Sequence, residues 1–234
     1  MNEGEIIKYL RNRFGNKIRR TDICRDRRFY INVDSDCLKD VCKVIFRDLD
    51  ARFITSIGVD ERQYNGGFLV AHNFAFDSWK LLCSLQTNVD GDSPSVQSIT
   101  DIVPASNWAE REFRDLLGIE PVGHIYPKRL VLPDGWPDGV YPLRKDFPYD
   151  SVPEGFDENR SFKFDDAPPG CVVVPFGPFH PTLDEPAHFR LYVEGEMVRG
   201  CEYRGFMAHR GIEKLGESVL TYNEIPMAAE RICG

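Results

Sequence analysis

Two short stretches near the end of the sequence carry residue types that can transfer protons or bind metals. The first, "HRGIEKL", holds His209, Arg210 and Glu213 within one turn of a predicted helix. A glutamate next to a buried site can donate and accept protons if its pKa is raised. The spacing alone favours a simpler alternative, a surface ion pair of Glu213 with Lys214 or Arg210.

The second stretch, "AERICG", contains Cys233 with Arg231 two residues before it. A thiolate is a suitable ligand for late transition metals, and a neighbouring arginine favours the deprotonated form. The seven cysteines include no Cys-x-x-Cys pair, so the sequence contains no complete zinc or iron–sulfur motif. We expect reduced thiols throughout, with the six cysteines other than Cys233 buried as small hydrophobic residues.

Histidines are the remaining candidates. His180 and His188 flank a proline-rich loop, and their spacing does not match a zinc-binding pair on one helix. In a rigid loop they can orient a partner or relay protons. The first 150 residues show no catalytic constellation, and His72 lies in an apolar strand pattern that predicts a packed side chain.

The composition is that of an ordinary globular protein, with 42% hydrophobic and 28% charged residues. The net charge of −8 disfavours binding to nucleic acid. No apolar run approaches the roughly 20 residues that span a bilayer, and the first residues do not resemble a signal peptide. We therefore expect any attachment to a membrane to depend on partner proteins.

The pattern of the first 150 residues predicts an α+β domain, an antiparallel sheet covered by helices. Helical spacing starts at Ile6, a strand is predicted over residues 28–33, and a helix capped by Ser35 follows. Three strands then fill residues 53–89, the first two joined by a hairpin at Asn65-Gly66.

A further helix is predicted in "SNWAEREFRDLLG", capped by Ser106 or Asn107 and ended by Gly118. Its predicted apolar positions are Trp108, Phe113, Leu116 and Leu117. Glu110 and Arg114 are spaced as an i,i+4 pair. The charged residues of this helix predict either a solvated face or a charged docking surface, and both alternatives stay open here.

Residues 120–170 hold nine of the sixteen prolines, which predicts an extended strap that lies across a partner surface. After it, Cys171–Pro175 reads as a buried strand, and a hairpin turning at Glu194-Gly195 and two short helices follow. The predicted organisation is a docking domain over 1–150, a linker over 151–170 and a β-rich module over 171–234.

Several of these stretches resemble known families. "GPFHPTLDEPAHFRLYVEGE", "HRGIEKL" and "AERICG" resemble the amino-terminal part of the large subunit of nickel–iron hydrogenases, in the membrane-associated group that includes formate hydrogenlyase. "NWAEREFRDLLGIEPVGH" and "KRLVLPDGWPDGVYPLRKDFPYD" resemble the 30-kDa-subunit family of respiratory complex I. The two families are fused in this order in formate hydrogenlyase and hydrogenase-4-type enzymes. The resemblance implies an oxidoreductase that reduces protons or oxidises hydrogen.

The resemblance also implies roles for individual residues. Cys233 matches the first cysteine of the Arg-x-Cys-Gly-x-Cys motif and would be a nickel ligand, with Arg231 as the arginine of that motif. Glu213 matches a proton-relay glutamate beside the metal, and His180 would support the site. The motif's second cysteine would lie beyond residue 234, so we expect these residues to hold one of four thiolates and to be inactive alone.

The implied partners are an iron–sulfur small subunit, whose clusters would carry the electrons, and membrane-arm subunits. Through them the protein would lie peripherally on the inner, cytoplasmic face of the cell membrane. One alternative is a fused 30-kDa/49-kDa subunit of an NADH:quinone oxidoreductase, which would bind quinone with His188 as its loop histidine. Cys233 and Gly234 favour the hydrogenase branch. A third possibility is an assembly or docking module without a catalytic role.

Overall fold

The computed structural model describes residues 1–232, and the contacts between residues divide the chain into two compact units, Met1–Lys128 and Arg129–Gly234. We call them the first and the second unit and describe each by itself. The sequence-based division, with domain ends near 150 and 170, stays a prediction. No helix within residues 1–232 is long and apolar enough to cross a bilayer.

The first unit is built around a five-stranded sheet in the order β1-β2-β5-β4-β3. Its strands are β1 (Ile18–Arg25), β2 (Arg28–Val33), β3 (Arg52–Asp60), β4 (Gly67–Phe76) and β5 (Leu81–Asp90). Its helices are α1 (Glu3–Phe14), α2 (Leu38–Lys43), α3 (Arg62–Asn65) and α4 (Asn107–Leu117), and a small parallel pair joins β6 (Ser95–Gln97) to β7 (Glu120–Val122). The predicted α+β class is confirmed, with one difference. The pair β2 and β5 is parallel, whereas the other neighbours in the large sheet are antiparallel.

Alternation along the strands defines the core of this unit. In β2 the side chains of Phe29, Ile31 and Val33 are buried while those between them are partly exposed. Helix α4 packs on β3 at Gly58, where a Cβ atom would lie 2.8 Å from Leu117 Cδ1 and 2.9 Å from Phe113 Cβ. A glycine is therefore required at this crossing, because any larger residue would push the helix away from the sheet.

The helix and turn predictions were right in position and partly wrong in detail. Ser35 does not cap α2, which begins at Leu38 after Cys37 and continues as a π-helix over Val44–Asp48. The Asn65-Gly66 connection does join two antiparallel strands, but through the short helix α3 rather than a two-residue turn. Gly66 has a φ of 79°, a conformation that favours glycine.

The second unit contains a three-stranded antiparallel sheet of β8 (Val172–Phe176), β9 (His188–Glu194) and β10 (Met197–Arg204), followed by α5 (Ile212–Ser218) and α6 (Ile225–Ala229). The β9–β10 hairpin is as predicted, with Gly195 at a φ of 61°. The prediction of a buried strand at Cys171–Pro175 was wrong, because β8 is an edge strand and exposes Val172 and Val174.

Polar groups hold much of the second unit together. The Arg204 guanidinium donates hydrogen bonds to the carbonyl oxygens of Leu130 (2.5 Å) and Leu132 (3.0 Å) and pairs with Asp134 at 2.9 Å. These bonds connect β10 to the proline-rich segment, which contains no helix or strand between β7 and β8. The segment consists of irregular backbone and turns, and its placement across a partner surface stays a prediction.

The cysteines are less uniformly buried than predicted. Cys37, Cys42 and Cys83 are buried, and burial raises the pKa of each thiol, that of Cys42 to about 12. Cys24 and Cys201 are exposed, because both lie on outer strands of their sheets. All six cysteines within residues 1–232 are free thiols.

Candidate functional site

The local backbone before α5 brings His209 to Glu213. Phe206 and Gly211 both have positive φ angles, 61° and 66°, and the His209 N–H donates to the Phe206 carbonyl at 3.2 Å. This tight turn leads into α5, whose first turn closes on the Gly211 carbonyl through the N–H groups of Lys214 and Leu215. His209 therefore lies just before the helix, on the side where Glu213 projects.

The two side chains form a hydrogen-bonded pair, with His209 Nε2 2.5 Å from Glu213 Oε1. Burial alone would raise the pKa of the Glu213 carboxyl, but the hydrogen bond and charge of His209, with a backbone hydrogen bond, lower it below its ordinary value. In this structure Glu213 is thus an ionised acceptor at neutral pH. The raised pKa considered from the sequence is not found.

Neither cation expected to pair with Glu213 does so. Lys214 donates from Nζ to the Arg144 carbonyl at 2.9 Å and lies 3.6 Å from Glu217. Arg210 donates to the Arg231 carbonyl at 3.3 Å, which connects the start of α5 to the end of α6. The predicted ion pair with Lys214 or Arg210 was therefore wrong in its partner. His209 takes that place, and its i,i+4 spacing to Glu213 is the signal that could have identified it.

A pocket of about 170 Å³ lies beside this pair. Its lining residues are Glu185, Phe206, Ala208, His209, Arg210, Ile212, Glu213 and Ile232. Glu185 reaches it from the loop between β8 and β9, and sequence reasoning missed this residue. Half of the lining side chains are ionisable and the rest are apolar or small, a combination that suits proton transfer to or from a small partner.

The loop that carries Glu185 closes tightly on itself. Gly177 has a φ of 86°, and a Cβ atom there would lie 1.9 Å from the Ala187 carbonyl oxygen. Within this loop His180 stacks on Phe176, with ring centroids 4.0 Å apart, and its Nδ1 lies 2.9 Å from Thr182 Oγ1. The predicted supporting histidine is therefore held by loop contacts and does not line the pocket.

The other predicted site residues lie apart from the pocket lining or outside the described residues. His188 packs its ring edge-on against Phe164, and its Nε2 is buried without a hydrogen-bond partner within residues 1–232. The Arg231 side chain is 62% exposed and pairs with Glu230 at 2.5 Å. Cys233 lies outside the described residues, although Ile232, which precedes it in sequence, lines the pocket.

The described donor set does not fit a nickel–iron centre. Within residues 1–232 no three His, Cys, Asp or Glu side chains are grouped closely enough to hold a metal ion. The pocket offers two carboxylates and an imidazole, whereas such a centre requires soft thiolate ligands. We therefore derive no chemical step that passes through a metal.

The buried His72 of the first unit has a hydrogen-bond partner at one of its two ring nitrogens. The His72 ring is fully buried with Nδ1 2.6 Å from Ser56 Oγ, which confirms the packed histidine. Burial lowers the pKa of this imidazole to about 4. The ring therefore stays neutral inside the core at physiological pH.

The prediction of which side chains of helix α4 are exposed and which are buried was partly wrong. Glu110 is buried and accepts from the Ile99 N–H at 2.9 Å and Ser106 Oγ at 3.1 Å, whereas Arg114 pairs with Glu120 at 2.7 Å. The predicted Glu110–Arg114 pair is therefore wrong, and Trp108, expected to be apolar and inward, is 48% exposed. Arg111 and Asp115 are also buried, whereas Glu112 is exposed, so most of the helix's charges do not form a solvated face, and the docking surface stays a prediction. Ser106 precedes the helix but makes no side-chain cap bond.

Comparison with known proteins identifies similar chains. The chain is 37% identical over 237 residues to hydrogenase-4 component G of Escherichia coli, covering 100% of this chain and 43% of that protein. It is 38% identical over 208 residues to formate hydrogenlyase subunit 5 of the same organism, covering 87% of this chain and 37% of that protein. The chain thus spans less than half the length of these curated relatives. The C/D polypeptide of the NADH-quinone oxidoreductase from Bacteroides thetaiotaomicron is 34% identical over 170 residues, 64% of this chain and 31% of that protein.

A solved structure of the archaeal membrane-bound sulfane sulfur reductase, described as a respiratory membrane complex, contains a similar fold. The TM-score is 0.53 at 20% identity, covering 68% of this chain and 98% of the matched chain. Residues 31–153, just over half of the sequence, match the family described as "Respiratory-chain NADH dehydrogenase, 30 Kd subunit". The chain belongs to this family of oxidoreductase-complex subunits, in a form similar to proteins of hydrogenase-4 and formate hydrogenlyase.

Proposed function

We propose that these residues form the amino-terminal part of the large subunit of a membrane-associated nickel–iron hydrogenase of the formate hydrogenlyase or hydrogenase-4 type. The observation that carries the proposal is the similarity to hydrogenase-4 component G, which extends over the whole chain and so includes both "HRGIEKL" and "AERICG". The intact protein would reduce protons to hydrogen or oxidise hydrogen. The 234 residues alone would be inactive.

The pocket beside Glu213 supports a role in proton transfer. Its carboxylate is ionised, and within residues 1–232 His209 is its one side-chain donor, so the oxygen that does not contact the imidazole can accept a proton. In the proposed enzyme Cys233 would supply one thiolate ligand, and the nickel–iron centre would supply the hydrogen chemistry when bound. Arg231 and His180 would support that site from its surroundings.

The first unit would serve as a docking domain in a multi-subunit complex. The family match over residues 31–153, most of which lie in this unit, supports this role. The proposed partners are an iron–sulfur small subunit that carries electrons and membrane-arm subunits that hold the assembly at the inner face of the membrane. The proline-rich segment, which has few regular elements, would lie across a partner surface.

A second candidate is a fused subunit of an NADH:quinone oxidoreductase. The 34% identity to the C/D polypeptide of such an enzyme favours it, and the buried Nε2 of His188, unpartnered within residues 1–232, is a group that can bind a quinone oxygen. The presence of Cys233 favours the hydrogenase, because a thiolate has no role in quinone binding.

The test is to purify the full-length protein with its complex and to measure nickel content, hydrogen uptake with an artificial electron acceptor, and quinone reduction. We expect nickel and hydrogen uptake in the wild type. Both should be lost in Cys233→Ser and retained in Cys201→Ser, the matched control at an exposed thiol. A nickel-free complex that reduces quinone equally well with either substitution would overturn the hydrogenase proposal in favour of the second candidate.

A further inference from the structure

The strongest unassigned feature of the pocket is the imidazole that contacts Glu213. We propose that His209 is a positioning residue for Glu213: it binds one carboxylate oxygen and thereby holds the other at the pocket for proton transfer. The inference rests on the proposed function only where it assigns the transferred proton to hydrogen turnover. The hydrogen bond itself is independent of that purpose.

Geometry separates His209 from the other cations near Glu213. Its Nε2 lies 2.5 Å from Oε1, and within residues 1–232 no second side chain donates a hydrogen bond to this carboxylate. Arg210 and Lys214 direct their charged groups to the carbonyls of Arg231 and Arg144. One imidazole therefore determines the orientation of the carboxylate, and the second oxygen stays available for a proton.

The backbone turn before α5 restricts the position of the His209 imidazole. The turn from Phe206 to His209 is closed by a backbone hydrogen bond, and the positive φ angles of Phe206 and Gly211 leave the chain little freedom. The His209 side chain is only 21% exposed, against 39% for Glu213. The histidine thus lies behind the carboxylate and supports it from the protein side.

Charges around the pair determine how its protonation depends on pH. The other charged groups that line the pocket with the pair are Glu185 from the β8–β9 loop and Arg210 from the turn before α5. Burial raises the pKa of the Glu213 carboxyl, and the bond and charge of His209 reverse this effect. Removing the imidazole should therefore raise the pKa of Glu213 and protonate the carboxylate at a higher pH than in the wild type.

The direct test is a carboxyl ¹³C NMR titration of Glu213 in the 234-residue chain, in wild type, His209→Phe and His209→Gln. We expect a raised Glu213 pKa in His209→Phe. In His209→Gln the increase should be smaller, because the amide can still donate a hydrogen bond to the carboxylate. Lys214→Gln is the matched control: it removes a charge from the adjacent residue, but that ammonium binds elsewhere, so the pKa should stay close to the wild-type value.

A parallel measurement on the full-length complex links the pair to turnover. The acidic limb of the pH profile for hydrogen turnover should move to higher pH in His209→Phe, partly recover in His209→Gln and stay in place in Lys214→Gln. An unchanged Glu213 pKa in a folded His209→Phe or His209→Gln chain would overturn the inference, whatever the activity. If the Glu213 pKa is raised in His209→Phe but the wild-type complex lacks hydrogen turnover, the inference stands and the proposed function is refuted.

Discussion

The first unit buries Phe29, Phe68 and Phe74 completely beneath its helices, whereas the second unit has few buried apolar side chains within the described residues. Those of the second unit are Leu130, Val131, Leu132, Ala187 and Tyr192, and neither α5 nor α6 contains a buried residue. Polar bonds replace the missing apolar contacts, as the Arg204 contacts show. Within residues 1–232, the first unit has the larger apolar core but no candidate catalytic site. The second unit contains the pocket beside Glu213 but has a small apolar core.

Most of the stabilising apolar core lies in the first unit, whereas the candidate functional pocket lies in the second. The first unit has an extensive apolar core of its own, which fits the docking role proposed for it. The exposed Val172, Met197 and Val198 of the second unit are apolar surfaces of the kind that further protein covers. The pocket with Glu213 is thus formed in the unit with less apolar packing of its own.

The largest expected effect is the loss of stability when the apolar core of the first unit is disrupted. Phe74→Ala should lower the free energy of unfolding by about 3–5 kcal/mol, because it removes a fully buried ring from a packed sheet. Urea denaturation measures this change. Phe179→Ala makes the same chemical change at a ring that is 87% exposed, and its effect should stay within roughly 0.5 kcal/mol. Equal losses in the two variants would show that the contrast between the units is wrong.

A somewhat smaller effect depends on pH and belongs to the first unit alone. His72 has a pKa of about 4 in the folded chain, against about 6.5 for an unfolded histidine. Between these values the unfolded state binds more protons. The stability is therefore fully present above pH 6.5 and falls by about 3 kcal/mol as the pH drops to 4.

Denaturation at several pH values, with ring NMR of His72, checks this dependence. His72→Gln should flatten the curve between pH 6.5 and 4, whereas His180→Gln, a change in the second unit's loop, should leave it unaltered. A His72 midpoint close to 6 would contradict a dry, neutral ring beside Ser56.

The smallest expected effect tests the polar support of the second unit. Arg204→Met should cost about 1.5–3 kcal/mol, because it leaves the buried carbonyls of Leu130 and Leu132 without their charged donor. Arg199→Met removes the same side chain from the same strand, but its pair with Glu194 is exposed and contributes under about 1 kcal/mol. If the two substitutions cost the same, the second unit is not stabilised by its buried arginine. Thermal unfolding followed by a probe in the second unit resolves the two cases.

Sequence patterns predicted the elements whose periodicity reflects one-sided burial. The strands at residues 28–33 and 53–89 and the helix that begins at Asn107 were found for this reason. Strand β1 was missed because its "RRTD" stretch is polar, its pairing is interrupted by two irregularities, and it lies at the sheet edge. An edge strand with one buried residue has no alternation to detect.

Long-range polar contacts were the part that no local pattern could supply. Glu110 is buried where it accepts from the Ser106 hydroxyl and from the Ile99 N–H, and the second contact, eleven residues away, is not visible in helical spacing. Glu185 reaches the pocket only because Gly177 lets its loop close. The pairing of His209 with Glu213 was readable as an i,i+4 spacing, but arginine and lysine are the commoner partners and were preferred.

The parallel pairing of β2 with β5 has a consequence for how the chain assembles. Ile31 pairs with Leu85, so the middle of the sheet joins segments that are far apart in sequence, while β1–β2 and β3–β4–β5 are local pieces. Non-local pairings slow folding, because the loop between the segments must be ordered first. During synthesis the hairpin β1–β2 therefore keeps an open edge until residue 90 has left the ribosome, and the nascent chain is most prone to mispairing in that interval.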